Sequence, residues 1–259
     1  MKRTFLIIGS LVLLSALALF FSACGGEDND TLTGIPDIVP GKYDWQIMIV
    51  DAGQYMEKAT YGINCYWLGS ASAITDDDEF SIKFDGVVYE LENFNLGIIR
   101  MIFGSANLNP GTTYNVAFYK NDKLISSGSL NTPYRAQGSF PTSYDPHQQA
   151  KVSWTLDADN QYQSISLSSD GEGYEDEDEY TKNLDPAIRS YSFPANAVKS
   201  FGPDTRYVMG VVQYSFLKSG KSAFLAVHTN AQHYGEEQPT KMDKNLELKK
   251  LADRLCARH

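Results

Sequence analysis

From Tyr43 onward, short runs of aromatic and β-branched residues separated by turn signals make up most of this chain. Helical spacing is almost absent until the C-terminus, so the pattern predicts an all-β fold. Asp85-Gly86 and Asn121-Asp122 tolerate positive φ angles, which predicts local antiparallel hairpins at both places. In the first half we predict the seven strands of one β-sandwich, near residues 45–50, 61–68, 80–84, 87–91, 98–103, 114–120 and 123–130.

An internal repeat divides this β-rich region into two parts. Residues 108–114, Leu-Asn-Pro-Gly-Thr-Thr-Tyr, return 93 positions later as Phe-Gly-Pro-Asp-Thr-Arg-Tyr. Residues 63–67, Ile-Asn-Cys-Tyr-Trp, return 87 positions later as Ala-Lys-Val-Ser-Trp. The difference of six requires an insertion between the landmarks, and the acidic run 170–179 supplies it. Because one sandwich has about 100 residues, the repeat predicts two tandem domains.

The two landmarks resemble the fibronectin type III family, whose second strand carries an inward tryptophan and whose later corner reads Leu-x-Pro-x-Thr-x-Tyr. Trp67 and Trp154 match the tryptophan, and Tyr114 and Tyr207 match the tyrosine. The resemblance implies that each tryptophan lies in a core. It also implies that each tyrosine ring packs under the corner while its hydroxyl satisfies a backbone group. We therefore expect two fibronectin type III-like antiparallel sandwiches, with a general immunoglobulin-like sandwich as the fallback.

The N-terminus has the layout of an export signal, with Lys2 and Arg3 before an apolar run that ends at Cys24. Residues 21–24, Phe-Ser-Ala-Cys, resemble the lipobox of bacterial lipoproteins, which implies cleavage before Cys24 and lipid on its thiol. An uncleaved membrane helix is the alternative, because the run approaches the roughly 20 residues that span a bilayer. The acidic, breaker-rich segment after Cys24 predicts a flexible tether. It is similar to the surface-export signal of Bacteroidetes lipoproteins, so we expect a membrane-anchored protein at the outer membrane or cell surface.

The predicted organisation has five parts: signal peptide 1–23, tether 24–41, sandwich domains 42–133 and 134–236, and tail 237–259. The tail carries apolar residues at partly helical spacing, which predicts a short C-terminal helix: Leu246, Leu248, Leu251, Ala252 and Leu255. Cys65 and Cys256 are far apart in sequence and imply no disulfide framework. We expect one buried and one exposed thiol.

Motifs of catalysis and metal binding are missing, since there is no G-x-S-x-G, no H-E-x-x-H and no glycine-rich phosphate loop followed by Lys. We predict that His228 and His233 are surface residues and that His147 lies in a loop. The acidic runs 76–79 and 170–179 are either calcium ligands or solvated loops. We expect no catalytic residue, no cofactor and no metal, which leaves Cys24 as the site residue.

Three classes of function remain open. The first is a non-catalytic binding or adhesion module for protein or polysaccharide, held on the membrane by its N-terminal lipid. The second is a structural or assembly subunit of an envelope complex, and the third is a hydrolase, for which two sandwiches leave no catalytic domain. A glycan platform would draw on Trp45 and the tyrosines. The net charge of -10 argues against nucleic acid as a partner.

Overall fold

The structure is a computed structural model that describes residues 43–51, 60–67, 74–95, 100–171 and 177–235. These ranges form fourteen strands: β1 (Trp45–Asp51), β2 (Thr60–Trp67), β3 (Phe80–Phe84), β4 (Val87–Asn95), β5 (Arg100–Asn107), β6 (Thr113–Lys120), β7 (Lys123–Asn131), β8 (Gln137–Ser139), β9 (Ala150–Thr155), β10 (Tyr162–Asp170), β11 (Glu177–Leu184), β12 (Ser190–Phe193), β13 (Arg206–Ser219) and β14 (Ser222–Tyr234). The predicted all-β class is confirmed. The signal peptide, the tether and the C-terminal helix lie outside the described residues.

Strands β1–β7 and β8–β14 form two units with the same internal order. In the first unit β1, β2 and β5 lie side by side, and β4, β3, β6 and β7 form the other layer. In the second unit β8, β9 and β12 face β11, β10, β13 and β14. Both units thus separate their first, second and fifth strands from the other four. The predicted tandem sandwiches are confirmed as the fold class.

The sequence landmarks occupy equivalent places in the two units. Trp67 lies at the end of β2 and Trp154 near the end of β9, which are the second strands. Tyr114 and Tyr207 lie at the start of β6 and β13, which are the sixth strands. The described ends of the acidic run 170–179 lie at the end of β10 and the start of β11, the third and fourth strands of the second unit. In the first unit the short turn Asp85-Gly86 joins the third and fourth strands.

Both predicted hairpin turns have the backbone that their residues favour. The φ angles are 48° at Asp85 and 85° at Gly86, and 48° at Asn121 and 59° at Asp122. Side chains reinforce the turns, because the Asn115 amide donates to Asp85 Oδ1 at 2.8 Å. Positive φ at both central residues matches the twist of the flanking strands. The local antiparallel pairing of β3 with β4 and of β6 with β7 follows from these turns.

A long C-terminal hairpin joins the two units. Strand β14 lies parallel to β1 from Trp45↔Ser222 to Val50↔Val227, so one sheet runs through both sandwiches. Met209 and Val211 of β13 belong to the second core. Phe224 and Ala226 of β14, by contrast, belong to the first core. The domain boundary at 133/134 was inferred from the sequence repeat and stays a prediction. The first core nevertheless includes residues of β14, which lie beyond this boundary in the sequence.

Contacts with β7 fix the tip of this hairpin in the first sandwich. The Ser219 hydroxyl donates to the Ser127 carbonyl at 2.7 Å. A Cβ atom on Gly128 would lie 2.8 Å from Leu217 Cδ2, so β13 approaches this strand closely. Leu217 in turn packs against the first core.

The tyrosine corner is confirmed in the first unit. The Asn109 amide donates to the Tyr114 hydroxyl at 2.8 Å, which satisfies a backbone group at the turn into β6. At the second landmark the Thr205 hydroxyl accepts the Phe201 amide at 2.8 Å, and the Tyr207 side chain is buried. The hydrogen-bonding role of the Tyr207 hydroxyl stays a prediction.

Candidate functional site

The outward side of the sheet β4-β3-β6-β7 is the strongest candidate for a ligand surface. Phe80, Ile82 and Phe84 of β3 point into the core, so the residues between them point outward. Neighbouring strands align the outward residues in two cross-strand rows. We call this surface the Tyr119 face; its residues are Ser81, Lys83, Val88, Glu90, Ala117, Tyr119 and Leu124.

Apolar groups and charges alternate on the Tyr119 face. Val88 on β4 is 47% exposed and Leu124 on β7 is 49% exposed, so large aliphatic side chains reach the solvent at both edges of the face. Lys83 Nζ lies 4.5 Å from the centroid of the Tyr119 ring, a cation–π distance that holds both side chains in place. An open depression of about 730 Å³ covers part of the face. Its lining includes Asp76, Glu79 and Asp122, so the surface favours a neutral or basic ligand.

Asp78 shows that part of the acidic run 76–79 has a structural role. Its carboxylate accepts the Thr75 amide at 2.6 Å and the Asn121 side chain at 2.7 Å, and it pairs with Lys120 Nζ at 2.9 Å. Burial would raise the pKa of Asp78, but these three partners outweigh it and lower the pKa to about 2. Within the described ranges, no group of three or more His, Cys, Asp or Glu is arranged to hold a metal ion.

The longer acidic run is described only at its two ends. Asp170 forms an ion pair with Arg206, and Asp178 accepts the Lys199 amide at 2.8 Å. Residues 172–176 lie outside the described ranges. The choice between calcium ligands and a solvated loop therefore stays open for this run.

His228 is not a surface residue, which corrects the sequence-based expectation. It is 3% exposed and lies where the two units meet. Its Nδ1 is 3.3 Å from Asp51 Oδ2, an ion-pairing distance without the alignment of a hydrogen bond. Arg135 donates to both oxygens of Asp51, at 2.6 and 2.7 Å. The parallel pairing of β1 with β14 brings these distant residues together, and no local sequence signal announces it.

The Asp51–Arg135–His228 cluster is a structural connection between the units. The Asp51 side chain is fully buried and that of His228 is 4% exposed, so a substrate has no direct access to the pair. Arg135 belongs to the segment that joins β7 to β8. Asp51 and His228 directly follow the last residue pair of the parallel register, Val50↔Val227. The cluster therefore ties the connecting segment to both units.

The other predicted histidines lie in exposed positions. His233 is exposed near the end of β14. His147 lies in the loop between β8 and β9, as predicted, with its Nδ1 2.9 Å from Asn196 Oδ1. His228 and His233 lie five positions apart on β14, and the described residues do not bring them together as a metal pair.

The tryptophans with described side chains serve the cores. Trp45 is 5% exposed and its ring contacts Phe80 and Phe118 at centroid distances of 5.6 and 5.1 Å. It is therefore not an exposed platform for glycans, which corrects that suggestion. Trp154 is 3% exposed in the second core, and its indole donates to Gln163 Oε1 at 3.3 Å. The side chain of Trp67 lies outside the description.

The cysteines divide between the core and the undescribed termini. Cys65 is 1% exposed, and burial raises the pKa of its thiol well above the usual range. This confirms that one of the two residues Cys65 and Cys256 has a buried thiol. Cys24 and Cys256 lie outside the described residues, so lipidation of Cys24 remains a prediction. Within the described ranges, no helix is long and apolar enough to span a bilayer.

Sequence reasoning did not single out Lys83 and Tyr119, although a signal for both was present. The predicted strands 80–84 and 114–120 alternate core and outward positions, so the outward side chains follow from the period of two. Asp51 and Arg135 had no comparable signal, because their pairing depends on how the units meet.

No protein-family profile matches this chain. No curated protein matches it either. Among solved structures, the chain is similar to the FN1–FN3 domains of chicken CNTN1, with 13% sequence identity and a TM-score of 0.24. The match covers 68% of this chain and 63% of that one. The TM-score is too low for this match to support the fold, so the fibronectin type III-like class rests on the two sandwiches, the tyrosine corner and the buried tryptophan described above.

Proposed function

We propose that this protein is a lipid-anchored, non-catalytic binding module of the cell envelope that recognises a protein partner through the Tyr119 face. The observation that carries the proposal is an open acidic depression on a sheet face that also exposes large aliphatic side chains. Val88, which is about half exposed, lines the depression together with Asp76 and Asp122, and the similarly exposed Leu124 lies on β7 of the same face. Exposed apolar residues within a polar border are typical of protein interfaces.

The carboxylates that line the depression favour a partner with a basic surface. Five carboxylates and one lysine line the depression: Asp76, Asp78, Glu79, Glu90, Asp122 and Lys83. Asp78 pairs with Lys120, and the lining still carries more carboxylates than lysines. Opposite charges guide association and fix orientation, with a strong dependence on ionic strength.

A polysaccharide ligand receives less support from the same surface. Sugar rings stack on the open faces of aromatic side chains, but Lys83 covers one face of Tyr119. A structural subunit of an envelope complex remains the alternative to a transient binding module. A hydrolase is the least supported class, because the described residues form two sandwiches and include no further domain for catalysis.

The lipid anchor is supported by residues 1–24 alone. A basic start, an apolar run and Phe-Ser-Ala-Cys precede a polar tether. Two or three acyl chains would hold the sandwiches on a membrane, because each buried methylene contributes about 0.8 kcal/mol. We propose that the tether presents both units at the outer membrane or cell surface.

The anchor is tested by intact mass and protease accessibility of the native protein in its own cells, beside the variant Cys24→Ser. We expect a chain that begins at Cys24 with the added mass of lipid, and an unmodified precursor in the variant. External protease should remove the native protein from intact cells. An unmodified native chain would contradict the proposed lipid anchor. A lipidated chain that external protease does not cut would place the protein on the periplasmic side.

The binding face is tested by photo-crosslinking in intact cells with a photoreactive residue at position 88. Position 188 is the matched control, because Ile188 is also exposed, at 38%, but lies in the second unit. We expect a protein adduct of discrete mass at position 88 that is lost when Asp76 and Asp122 are both changed to Lys. Equal adducts at positions 88 and 188, or an adduct that survives charge reversal, would contradict the proposal. A polydisperse adduct without protein would favour polysaccharide.

A further inference from the structure

A second apolar surface lies on the side of the continuous sheet that faces away from both cores. Side chains of β13 and β14 alternate, so Val211 and Phe224 enter the cores while Val212 and Leu225 point to the opposite side. The parallel pairing places Met48 beside Leu225. We call this surface the Leu225 face; its residues are Met48, Val50, Val212, Tyr214, Phe216, Leu225 and Val227.

The Leu225 face is buried, although the described cluster on it forms a single layer. Tyr214 and Leu225 are each 2% exposed and Val227 is 1% exposed. The residues that pack with them, Tyr162 and Phe216, come from β10 and β13 of the same sheet. Tyr43, just before β1, contacts only the edge of this layer, with its ring 6.2 Å from that of Phe216. Side chains in one layer cannot exclude water from their own outer surface, since a sheet face needs a second layer against it. A cover from outside the described ranges is therefore required.

We propose that the C-terminal segment 246–255 folds back as an amphipathic helix and covers the Leu225 face. Leu248, Leu251, Ala252 and Leu255 follow the i, i+3, i+4, i+7 spacing of one helical face. Lys249, Lys250 and Arg254 fall between them on the other side. The helix supplies the apolar second layer that the sheet lacks.

The length of the chain beyond β14 suits this placement. From Tyr234 back to Leu225 the distance along the strand is about 30 Å, at roughly 3.4 Å per residue. Residues 236–245 reach about 33 Å when extended. A helix over 246–255 is about 15 Å long, enough to cross three strands about 4.8 Å apart.

Charge favours the same occupant over the N-terminal tether. Residues 241–259 contain six Lys or Arg and three Asp or Glu, in a chain whose net charge is -10. The tail is thus basic while the rest of the chain is strongly acidic. The tether begins with the acidic residues Glu27, Asp28 and Asp30, so it would be repelled by the acidic body.

Disulfide trapping on the full-length native protein tests the placement with the cysteine that the tail already carries. Gln46→Cys and Thr229→Cys, made separately, put a thiol at half-buried polar positions of the same face without removing an apolar contact. Cys65 is buried and does not compete with Cys256. The matched control is Leu124→Cys, which is exposed in the first unit. Peptide mapping identifies the joined residues, so the result does not depend on whether Cys24 carries lipid.

We expect an intrachain disulfide to Cys256 in at least one of the two face variants and none in the control. Adding Leu251→Asp and Leu255→Asp should reduce its yield at least fivefold, because the helix loses its apolar side. Absence of the disulfide from both face variants would overturn the proposal, as would an equal yield in the control or no effect of the aspartates. A disulfide between two chains would assign the face to a second copy of the protein.

Discussion

Individual polar side chains fix the segment that joins the two sandwiches. Asn160 accepts the Tyr134 amide at 2.7 Å and donates to the Tyr134 carbonyl at 3.1 Å. It also donates to Gln213 Oε1 at 3.0 Å, which connects the segment to β13. Arg135, the next residue, pairs with Asp51 of the first unit. Two consecutive linker residues are thus held by opposite units, so the junction has a defined geometry.

The variant Arg135→Met tests this junction at the residue scale. It leaves the fully buried Asp51 without its bidentate partner, and removing one member of a buried pair costs about 3 kcal/mol or more. Because Arg135 is one-third exposed, we expect a loss of unfolding free energy near the low end, about 3 kcal/mol. Urea unfolding measures it. Arg135→Lys, which keeps the charge, should lose less, and a loss below about 1 kcal/mol for Arg135→Met would contradict the assigned role.

Asp78 predicts a pH dependence with a definite sign. Its pKa is about 2 in the folded chain against an ordinary 3.8, so it binds protons less readily when folded. Its stabilising contribution is therefore full above pH 4 and is lost as the pH falls towards 2. We expect Asp78→Asn to be less stable than wild type at pH 6 and the difference to shrink between pH 4 and pH 2. Thermal melting at several pH values tests this, and a constant difference would contradict it.

Gly111 predicts a backbone-specific loss. Its φ is +66°, and an added Cβ would overlap the Tyr134 ring, so Gly111→Ala combines strain with a clash. We expect the free energy of unfolding to fall by about 2–3 kcal/mol. Gly86→Ala is the matched control, because Gly86 also has positive φ but open space around it. Equal losses in the two variants would show that the Tyr134 contact contributes nothing.

At the scale of the elements, the C-terminal hairpin is the connection that the sequence could not reveal. Strands β3, β6 and β7 were predicted to within a residue or two at each end, because alternation and turn residues are local signals. The parallel pairing of β1 with β14 joins opposite ends of the β-rich region and has no such signal. His228 was misplaced for that reason, and Trp45 was left as a surface candidate although the first core encloses it.

Phe224→Ala tests the membership of the hairpin in the first core. Phe224 lies in the last strand of the second unit but is fully buried in the first core. Removing a buried phenylalanine costs about 3–5 kcal/mol, through lost burial and the cavity that remains. We expect the free energy of unfolding to fall by this amount, as monitored by tryptophan fluorescence. Leu124→Ala, at an exposed position, should change stability by less than about 0.5 kcal/mol, and a similarly small effect of Phe224→Ala would refute the membership.

The candidate site divides in the same way between local and distant signals. Outward positions such as Lys83 and Tyr119 were deducible from strand alternation, although their grouping required the sheet order. The role of Asp78 could not be predicted from its neighbours in sequence, because its partner Asn121 lies in the distant turn between β6 and β7. Cys24 rests on the sequence alone, so its modification remains a prediction that the mass measurement decides.

For the whole molecule, the shared hairpin makes the two sandwiches one structural body. The first core contains Phe224 and Ala226, and the second contains Met209 and Val211 of the same hairpin. The sheet continues from β11 through β14 and β1 to the first unit. A rigid body of two sandwiches on a tether would present the Tyr119 face at a fixed angle to the second unit, which suits recognition better than two freely jointed domains.

The most direct test of this coupling is the folding of residues 42–133 on their own, beside the full chain. The isolated first unit lacks Phe224, Ala226 and Leu217, which pack in or against its core in the intact protein. We predict that the full chain unfolds in one cooperative urea transition, while the fragment shows no cooperative transition and poorly dispersed amide resonances. A fragment that unfolds cooperatively with well-dispersed resonances would show that the first sandwich folds independently and would contradict the shared core.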